Sequence, residues 1–213
     1  MIIKNQSGYS LVELLVALVI SLIVMGGIYF TSISQERTWQ IEERMAELQA
    51  NLRAGMYILE RDLRLAGYDP LCISPPCYNV GFTNASATSL TFSMRKPDTN
   101  TIQTISYNLN AHKLGRAVGG SGYQPLILNV DALNFIYFDK SGNRLTTPLS
   151  SSDLKKIKMV QVTVVAHSET PDPNYNSTTP FKNLKGDTIF TPSDDDHYRR
   201  RSMTSRVLCR NIF

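Results

Sequence analysis

Apolar residues are concentrated in one unbroken segment near the start of the sequence. From Leu14 to Gln35 no residue carries a charge, and leucine, valine and isoleucine dominate the segment. A helix rises about 1.5 Å per residue, so the segment spans roughly 33 Å, enough for a bilayer core of about 30 Å. The pattern therefore predicts one membrane-spanning helix.

The helical pattern continues beyond this segment, but on one face only. After Gln35 an apolar residue recurs every three or four positions, and charged residues occupy the other face. Gly67 and Pro70 then act as stop signals, so we expect one helix from Ser10 to Ala66. We expect its stripe to pack on a folded domain, although an intermolecular coiled coil is an alternative. The stripe comprises Ile41, Met45, Leu48, Leu52, Met56, Leu59, Leu63 and Ala66.

Beyond the predicted helix, apolar and polar residues alternate, which is the pattern of β-strands. The clearest strands are expected at Ser89–Met94, Leu133–Phe138 and Ile157–Val165. In the last of these, valines should face inward and Gln161 and Thr163 outward. No helical period occurs here, so the sequence predicts an α+β fold in which an antiparallel sheet packs on the helix. Weaker strand candidates are Gln103–Leu109, Pro125–Val130 and Arg201–Ile212.

Composition and charge narrow the range of functions. Lys+Arg 22 against Asp+Glu 18 give a net charge of +4, well below the charge density of a dedicated nucleic-acid binder. His112, His167 and His197 show no metal-ligand spacing, and no arrangement of nucleophile and base is evident. The sequence therefore predicts no catalytic residue, no cofactor and no metal site.

A long polar segment, residues 168–196, contains four prolines and ends in three aspartates. We expect a surface loop that is disordered or packed, with contact to a partner as the more specific hypothesis. The aspartates at 194–196 indicate a solvated turn rather than a Ca²⁺ site. The arginines that follow, from Arg199 to Arg201 with Arg206 and Arg210, should pair with these aspartates, face solvent or contact a neighbouring subunit. Binding of nucleic acid by this tail is a minor alternative.

The start of the apolar segment does not resemble a simple anchor, because Glu13 lies at its edge and a short polar leader ends in Gly8. A carboxylate at a bilayer centre costs about 2.5–3.5 kcal/mol, so it calls for a cation. If the chain were cut after Gly8, the new amine of Tyr9 would be the natural partner for Glu13 of a neighbouring subunit. A secretory signal peptide would be shorter and would carry its cleavage site at the far end.

The seven residues GYSLVEL, from Gly8 to Leu14, resemble the type IV prepilin cleavage and methylation motif. The resemblance implies that a dedicated prepilin peptidase cuts between Gly8 and Tyr9 and methylates the amine of Tyr9. It also implies that Glu13 serves subunit assembly. The family commonly has phenylalanine where this chain has Tyr9.

Two further stretches are similar to PilW-type minor pilins, namely residues 59–72 at the helix end and 200–211 at the C-terminal side. The second is also similar to the J-type pseudopilins of type II secretion. The resemblance implies a pilin fold in four parts. These are a leader (1–8), a transmembrane and filament-core helix (9–33), an amphipathic helix (34–67) and a periplasmic β head (68–213).

By this resemblance the chain is a structural subunit and not an enzyme. It would help prime type IV pilus assembly at or near the pilus tip, after residing in the inner membrane with its head in the periplasm. The implied partners are other minor pilins, the major pilin, the prepilin peptidase, the inner-membrane assembly platform and membrane lipid, whereas nucleic acid is not expected. The alternatives are a J-type pseudopilin and a tip adhesin or DNA-binding subunit.

A head outside the inner membrane would be in an oxidising compartment, where disulfides persist. The chain has three cysteines, so three pairings are possible. We expect Cys72 to pair with Cys77 in the loop after the helix, which leaves Cys209 as a buried thiol.

Overall fold

The computed structural model describes residues 8–72, 80–96 and 98–212. The chain divides into two compact units, residues 1–44 and 45–213. Helix α1, Leu11–Leu65, contributes residues to both units. Its bounds confirm the helix predicted from Ser10 to Ala66, and Gly67 has the positive φ of 76° that ends a helix.

The first unit consists of the apolar part of α1. An 18-residue window of this helix has a mean hydropathy of 2.7, and none of it is buried. Among the described residues, α1 is the one helix that is long and apolar enough to cross a membrane. Hydroxyl groups in this part bond to the carbonyl four residues earlier, as in Ser21 Oγ to Ala17 O (2.8 Å) and Thr31 Oγ1 to Gly27 O (2.9 Å). These bonds satisfy the hydroxyls within an apolar surface.

The second unit has its own core, which begins with the later part of α1. The predicted stripe is buried here from Leu48 to Ala66, and Leu59 and Leu63 are fully buried. The same core contains apolar side chains from two β-sheets. The hypothesis that the stripe packs on the head is therefore confirmed.

The first sheet is an antiparallel meander of five strands in sequence order. The structure confirms the strands predicted near 89–94, 103–109 and 125–130, and it adds two that were not predicted, the first and the fourth. The strands are β1 (Gly81–Ala85), β2 (Ser89–Arg95), β3 (Ile102–Asn110), β4 (Lys113–Val118) and β5 (Gln124–Leu128).

Six further strands and one short helix follow. The strands are β6 (Val130–Phe138), β7 (Arg144–Leu145), β8 (Met159–His167), β9 (Phe181–Lys182), β10 (Thr188–Phe190) and β11 (Arg200–Leu208). A second antiparallel sheet has the order β11-β8-β6-β7, and β9 pairs with β10 separately. The helix α2 (Ser151–Leu154) begins at the N-cap Ser150 and was not predicted.

The single predicted sheet is thus divided in two, and the division lies at Asn129. This residue has a positive φ of 56°, which asparagine tolerates better than most residues. It ends β5 at Leu128 and starts β6 at Val130, so the strand expected at Pro125–Val130 was predicted too long.

The residues of β8 that were expected to face outward are covered by other parts of the head rather than exposed to solvent. Gln161 and Thr163 lie on the face opposite the core valines, but both are fully buried. The segment 168–196 covers this face, with Asn183 Nδ2 donating to Asn134 Oδ1 (3.1 Å). The ammonium of Lys185 lies 5.3 Å from the ring centre of Phe138 on the same face. Of the alternatives for this segment, the structure shows a packed surface loop.

Candidate functional site

The predicted cleavage site lies in accessible, non-helical backbone. Gly8, Tyr9 and Ser10 precede the helix, and Tyr9 is 87% exposed. The first helical hydrogen bond runs from Leu14 N to Ser10 O (3.1 Å). The predicted cut between Gly8 and Tyr9 therefore falls in exposed backbone that precedes the helix.

Glu13 lies in the first turn of α1, where a carboxylate interacts favourably with the helix dipole. It is exposed, and its neighbours along the helix are exposed apolar residues such as Val12 and Leu14. Within the described parts of the chain, no cation forms an ion pair with it. Glu13 is thus a charged group on an apolar surface, with the helix dipole as its main local stabilisation.

The apolar surface around Glu13 extends along the part of α1 that belongs to the first unit. Large apolar side chains are exposed on every face from Leu11 to Phe30. A helix that is apolar all round is stable when lipid or other apolar helices surround it. This part of α1 can therefore serve in a membrane and in a helical filament core.

At the other end of α1, a buried ionic network joins the helix to the first sheet. Asp62 is 1% exposed, and its Oδ2 accepts hydrogen bonds from Tyr107 Oη (2.7 Å) and Arg116 Nε (2.6 Å). Burial, together with the Asp62 carboxylate, raises the pKa of Tyr107 well above its usual value. Because a buried carboxylate is costly unless it is paired, this network fixes one orientation of the helix end on β3 and β4.

The turn after α1 is fixed by residues from both ends of the head. Gly67 N donates to Ser93 O (3.1 Å), and Asn211 Nδ2 donates to Arg64 O (2.9 Å). Arg95 Nε donates to Asp69 Oδ1 (2.7 Å). The two stretches that resemble PilW-type pilins in the sequence, at 59–72 and 200–211, therefore meet in space.

The basic tail is largely paired within the head. Arg200 is buried, with Nε donating to Asp131 Oδ2 and Nη1 to Asp196 Oδ1, each at 2.7 Å. Arg199 pairs with Asp172 at 2.8 Å. The predicted pairing with a nearby aspartate is confirmed, but Asp196 is buried, so the prediction of a fully solvated turn at 194–196 was wrong for this residue.

The structure describes two of the three cysteines, Cys72 and Cys209. Cys209 is a free, buried thiol, as expected, and burial raises its pKa to about 12. Cys77 lies outside the described residues. The pairing of Cys72 with Cys77 therefore stays a prediction.

Comparisons with known proteins support the pilin resemblance. The prokaryotic N-terminal methylation motif matches residues 3–29, and the Type IV Pilus-assembly protein W family matches residues 97–211, which is more than half of the chain. A type IV-like pilin from Thermus thermophilus has a similar fold, with a TM-score of 0.54 and 14% identity, covering 78% of this chain and 98% of that one. No curated protein matches significantly by sequence. With this family match and a long apolar helix leading into an antiparallel head, the chain belongs to the PilW family of type IV pilus-assembly proteins.

Proposed function

We propose that this protein is a minor pilin that helps prime type IV pilus assembly and is located at or near the pilus tip. The observation that carries the proposal is the exposed Glu13, which lies four residues after Tyr9 on an apolar helix and has no cationic partner among the described residues. A pilus-assembly family match supports the pilus over the secretion machine as its setting.

Cleavage between Gly8 and Tyr9 supplies the missing cation. The new α-amine remains protonated after methylation, and it belongs to the same apolar segment as Glu13. In a filament core of low dielectric, a Glu13 carboxylate without a partner is costly, whereas its pairing with the Tyr9 amine of a neighbour offsets that cost. One axial register between adjacent helices satisfies both charges, so the pair selects that register.

The same helix serves the protein before and after assembly. Its apolar surface suits the inner membrane, and Lys4 in the leader favours a cytoplasmic start with the head in the periplasm. During assembly the helix moves from lipid to neighbouring pilin helices, which present equivalent apolar surfaces. The proposed partners are therefore the other minor pilins, the major pilin, the prepilin peptidase and the assembly platform.

Peptide mass analysis of the native protein tests the processing step, with membranes and sheared filaments compared. We expect an N-terminal peptide that begins at N-methylated Tyr9 in both fractions. A peptide that begins at Met1 in cells with an active prepilin peptidase would contradict processing. Absence of the processed chain from purified filaments would contradict its place in the pilus.

The role of Glu13 is tested by Glu13→Ala. We expect normal cleavage and an unchanged melting temperature, because Glu13 lies outside the folded core of the second unit. The amount of this subunit in sheared filaments should fall roughly tenfold or more, since a lost pairing of about 1.4 kcal/mol already gives tenfold. Quantitative immunoblots of filament and membrane fractions measure the ratio.

Glu42→Ala is the matched control, because Glu42 is an exposed acid of the same helix beyond the apolar segment. It should enter filaments at the level of the unmodified protein. Equal incorporation of the Glu13 and Glu42 variants would show that Glu13 does not set the register.

A further inference from the structure

Three side chains from separate elements of the head converge on the rim of one cavity. His112 lies in the turn between β3 and β4, Asp131 is the second residue of β6, and His167 is the last residue of β8. One candidate ligand atom from each of them lies within 4.8 Å of the others. The cavity has a volume of about 800 Å³ and is also lined by His197 and Tyr198. The sequence did not predict this cluster, because strand pairing alone brings the three residues together.

The carboxylate of Asp131 is held in a fixed orientation. Its side chain is 5% exposed, and its Oδ2 accepts the hydrogen bond from Arg200 Nε at 2.7 Å. The other oxygen, Oδ1, faces the two histidines, at 3.5 Å from His112 Nδ1 and 3.8 Å from His167 Nε2. Arg200 thus leaves one carboxylate oxygen available towards the imidazoles.

The hydrogen bonding of His167 leaves its second ring nitrogen without a proton in the neutral imidazole. His167 Nδ1 lies 2.7 Å from the carbonyl oxygen of Ser168, so Nδ1 carries the proton and donates it to that oxygen. In the neutral ring, Nε2 then presents a lone pair towards the carboxylate of Asp131. Two acceptors that face each other in this way are satisfied by a positive charge between them, either a second proton on the ring or a metal ion. A backbone carbonyl behind the ring is also the usual support of a metal-bound histidine.

The backbone holds His112 at the site in a costly conformation. Ala111 and His112 both have positive φ, 46° and 57°, in a turn that asparagine and glycine normally occupy. Val130 N donates to His112 O (2.9 Å), which ties the turn to the start of β6. Strained residues of this kind concentrate at functional sites, because the surrounding structure must compensate for them.

We propose that His112, Asp131 and His167 bind a divalent transition-metal ion, with Zn²⁺ as the best match. Two imidazole nitrogens and one carboxylate oxygen are ligands that zinc accepts, whereas calcium and magnesium prefer oxygen alone. Around a tetrahedral zinc ion with bonds of about 2.0–2.1 Å, neighbouring ligand atoms lie roughly 3.3 Å apart. The contacts of Asp131 Oδ1 with the two imidazoles, at 3.5 and 3.8 Å, are slightly longer than this value, and the exposed ring of His112 can rotate to close the site. The fourth position faces the cavity and takes water.

Such an ion would fasten the two sheets of the head to each other. His112 belongs to the first sheet through the β3–β4 turn, whereas Asp131 and His167 belong to the second. Because the ion binds only the folded arrangement, it stabilises the head by an amount that grows with the logarithm of the free ion concentration above its Kd.

The test uses the full-length chain without a polyhistidine tag, purified in a non-ionic detergent and treated with chelator. Zn²⁺ is titrated calorimetrically, and Co²⁺ is used as a spectroscopic probe of tetrahedral coordination. We expect one equivalent to bind, and the melting temperature to rise by about 5–10 °C when free Zn²⁺ is 100-fold above its Kd. No binding at 100-fold molar excess of Zn²⁺ would overturn the proposal.

His112→Asn is the first variant, since asparagine tolerates the positive φ of this turn. We expect at least tenfold weaker Zn²⁺ binding and an unchanged melting temperature in chelator. His167→Gln should weaken binding to a similar extent. His197→Gln is the matched control, because His197 lines the same cavity without belonging to the cluster, and it should bind Zn²⁺ normally. Undiminished binding by the His112 and His167 variants, or loss in the His197 variant alone, would place any zinc elsewhere and refute the site.

Discussion

At the scale of single residues, Cys209 shows how burial decides reactivity. It follows β11 directly, is 1% exposed, and its N–H donates to Lys158 O (2.8 Å). Because burial raises the pKa of this thiol to about 12, almost none of it is thiolate at neutral pH. The thiolate is the nucleophile, so a cysteine that is both buried and protonated is inert in the folded protein.

We expect iodoacetamide to leave native Cys209 unmodified at pH 7.5. In denaturant without reductant one thiol per chain should react, and after reduction three should react, because Cys72 and Cys77 are predicted to be paired. Intact-mass spectrometry counts the adducts.

Cys209→Ala is the control for this count and should show no adduct in denaturant without reductant. Labelling of the native protein would contradict the burial of Cys209. Three adducts before reduction would refute the predicted disulfide.

The two candidate sites differ in how far the sequence could predict them. Gly8, Tyr9 and Glu13 lie within six consecutive residues, so they are close in the structure whatever the rest of the chain does. His112, Asp131 and His167 are separated in sequence and meet only through the pairing of β6 with β8 and the turn after β3. No local periodicity reports such pairings, and this cluster therefore became visible only in the structure.

At the scale of elements, α1 was predicted to within one residue at each end, because its apolar period and its stop signal are both strong. The strands β2, β6 and β8 were predictable for the same reason. By contrast, β4 contains Lys113, Gly115 and Arg116, and β9 and β10 have only two and three residues. Such short or polar strands exist because neighbouring strands supply their hydrogen bonds, and their own side chains carry little signal.

The packing of α1 on β5 depends on the absence of a side chain at Gly55. A β-carbon at this position would collide with the side chain of Ile127. We expect Gly55→Ala to lower the melting temperature by a few degrees, because overpacking costs about 1–3 kcal/mol and outweighs the gain in helix propensity of roughly 1 kcal/mol. Thermal unfolding followed by near-UV circular dichroism measures the change.

Gly26→Ala is the matched control, since no atom lies within 4 Å of a β-carbon built there. It should leave the unfolding of the head unchanged. A Gly55→Ala protein as stable as this control would show that β5 can move away from α1 at no cost.

At the scale of the whole molecule, several carboxylates of the head are stabilised in their charged form. The hydrogen bond from Arg95 lowers the pKa of Asp69. Burial alone would raise the pKa of Asp196, but the hydrogen bond from Arg200 brings it below its usual value. A folded-state pKa below the unfolded one means that the folded protein binds fewer protons in acid. The resulting stability is present above the unfolded value of about 3.9 and is lost as the pH falls through the folded values.

We therefore expect the melting temperature of the full chain to fall steeply below about pH 4. Asp69→Asn should be less stable than the unmodified protein at neutral pH and should show a shallower fall in acid, because it no longer has that proton to bind. Calorimetric scans between pH 7 and pH 2.5 measure both effects.

Asp98→Asn, which changes an exposed aspartate, should follow the unmodified protein throughout. If the Asp69 and Asp98 variants had the same acid profile, the pairing of Asp69 with Arg95 would not contribute to acid unfolding.

The position of β11 in the second sheet has a consequence for synthesis of the protein. β8 lies between β6 and β11, yet β11 and the segment that covers the outer face of β8 both follow it in the sequence. At about 5–20 residues per second, the ribosome releases β11 a few seconds after β8. During that interval one edge of β8 has free N–H and C=O groups that a second nascent chain could pair with. The interval between the completion of β8 and the arrival of β11, after α1 has been made, is therefore one in which newly made heads are exposed to aggregation with each other.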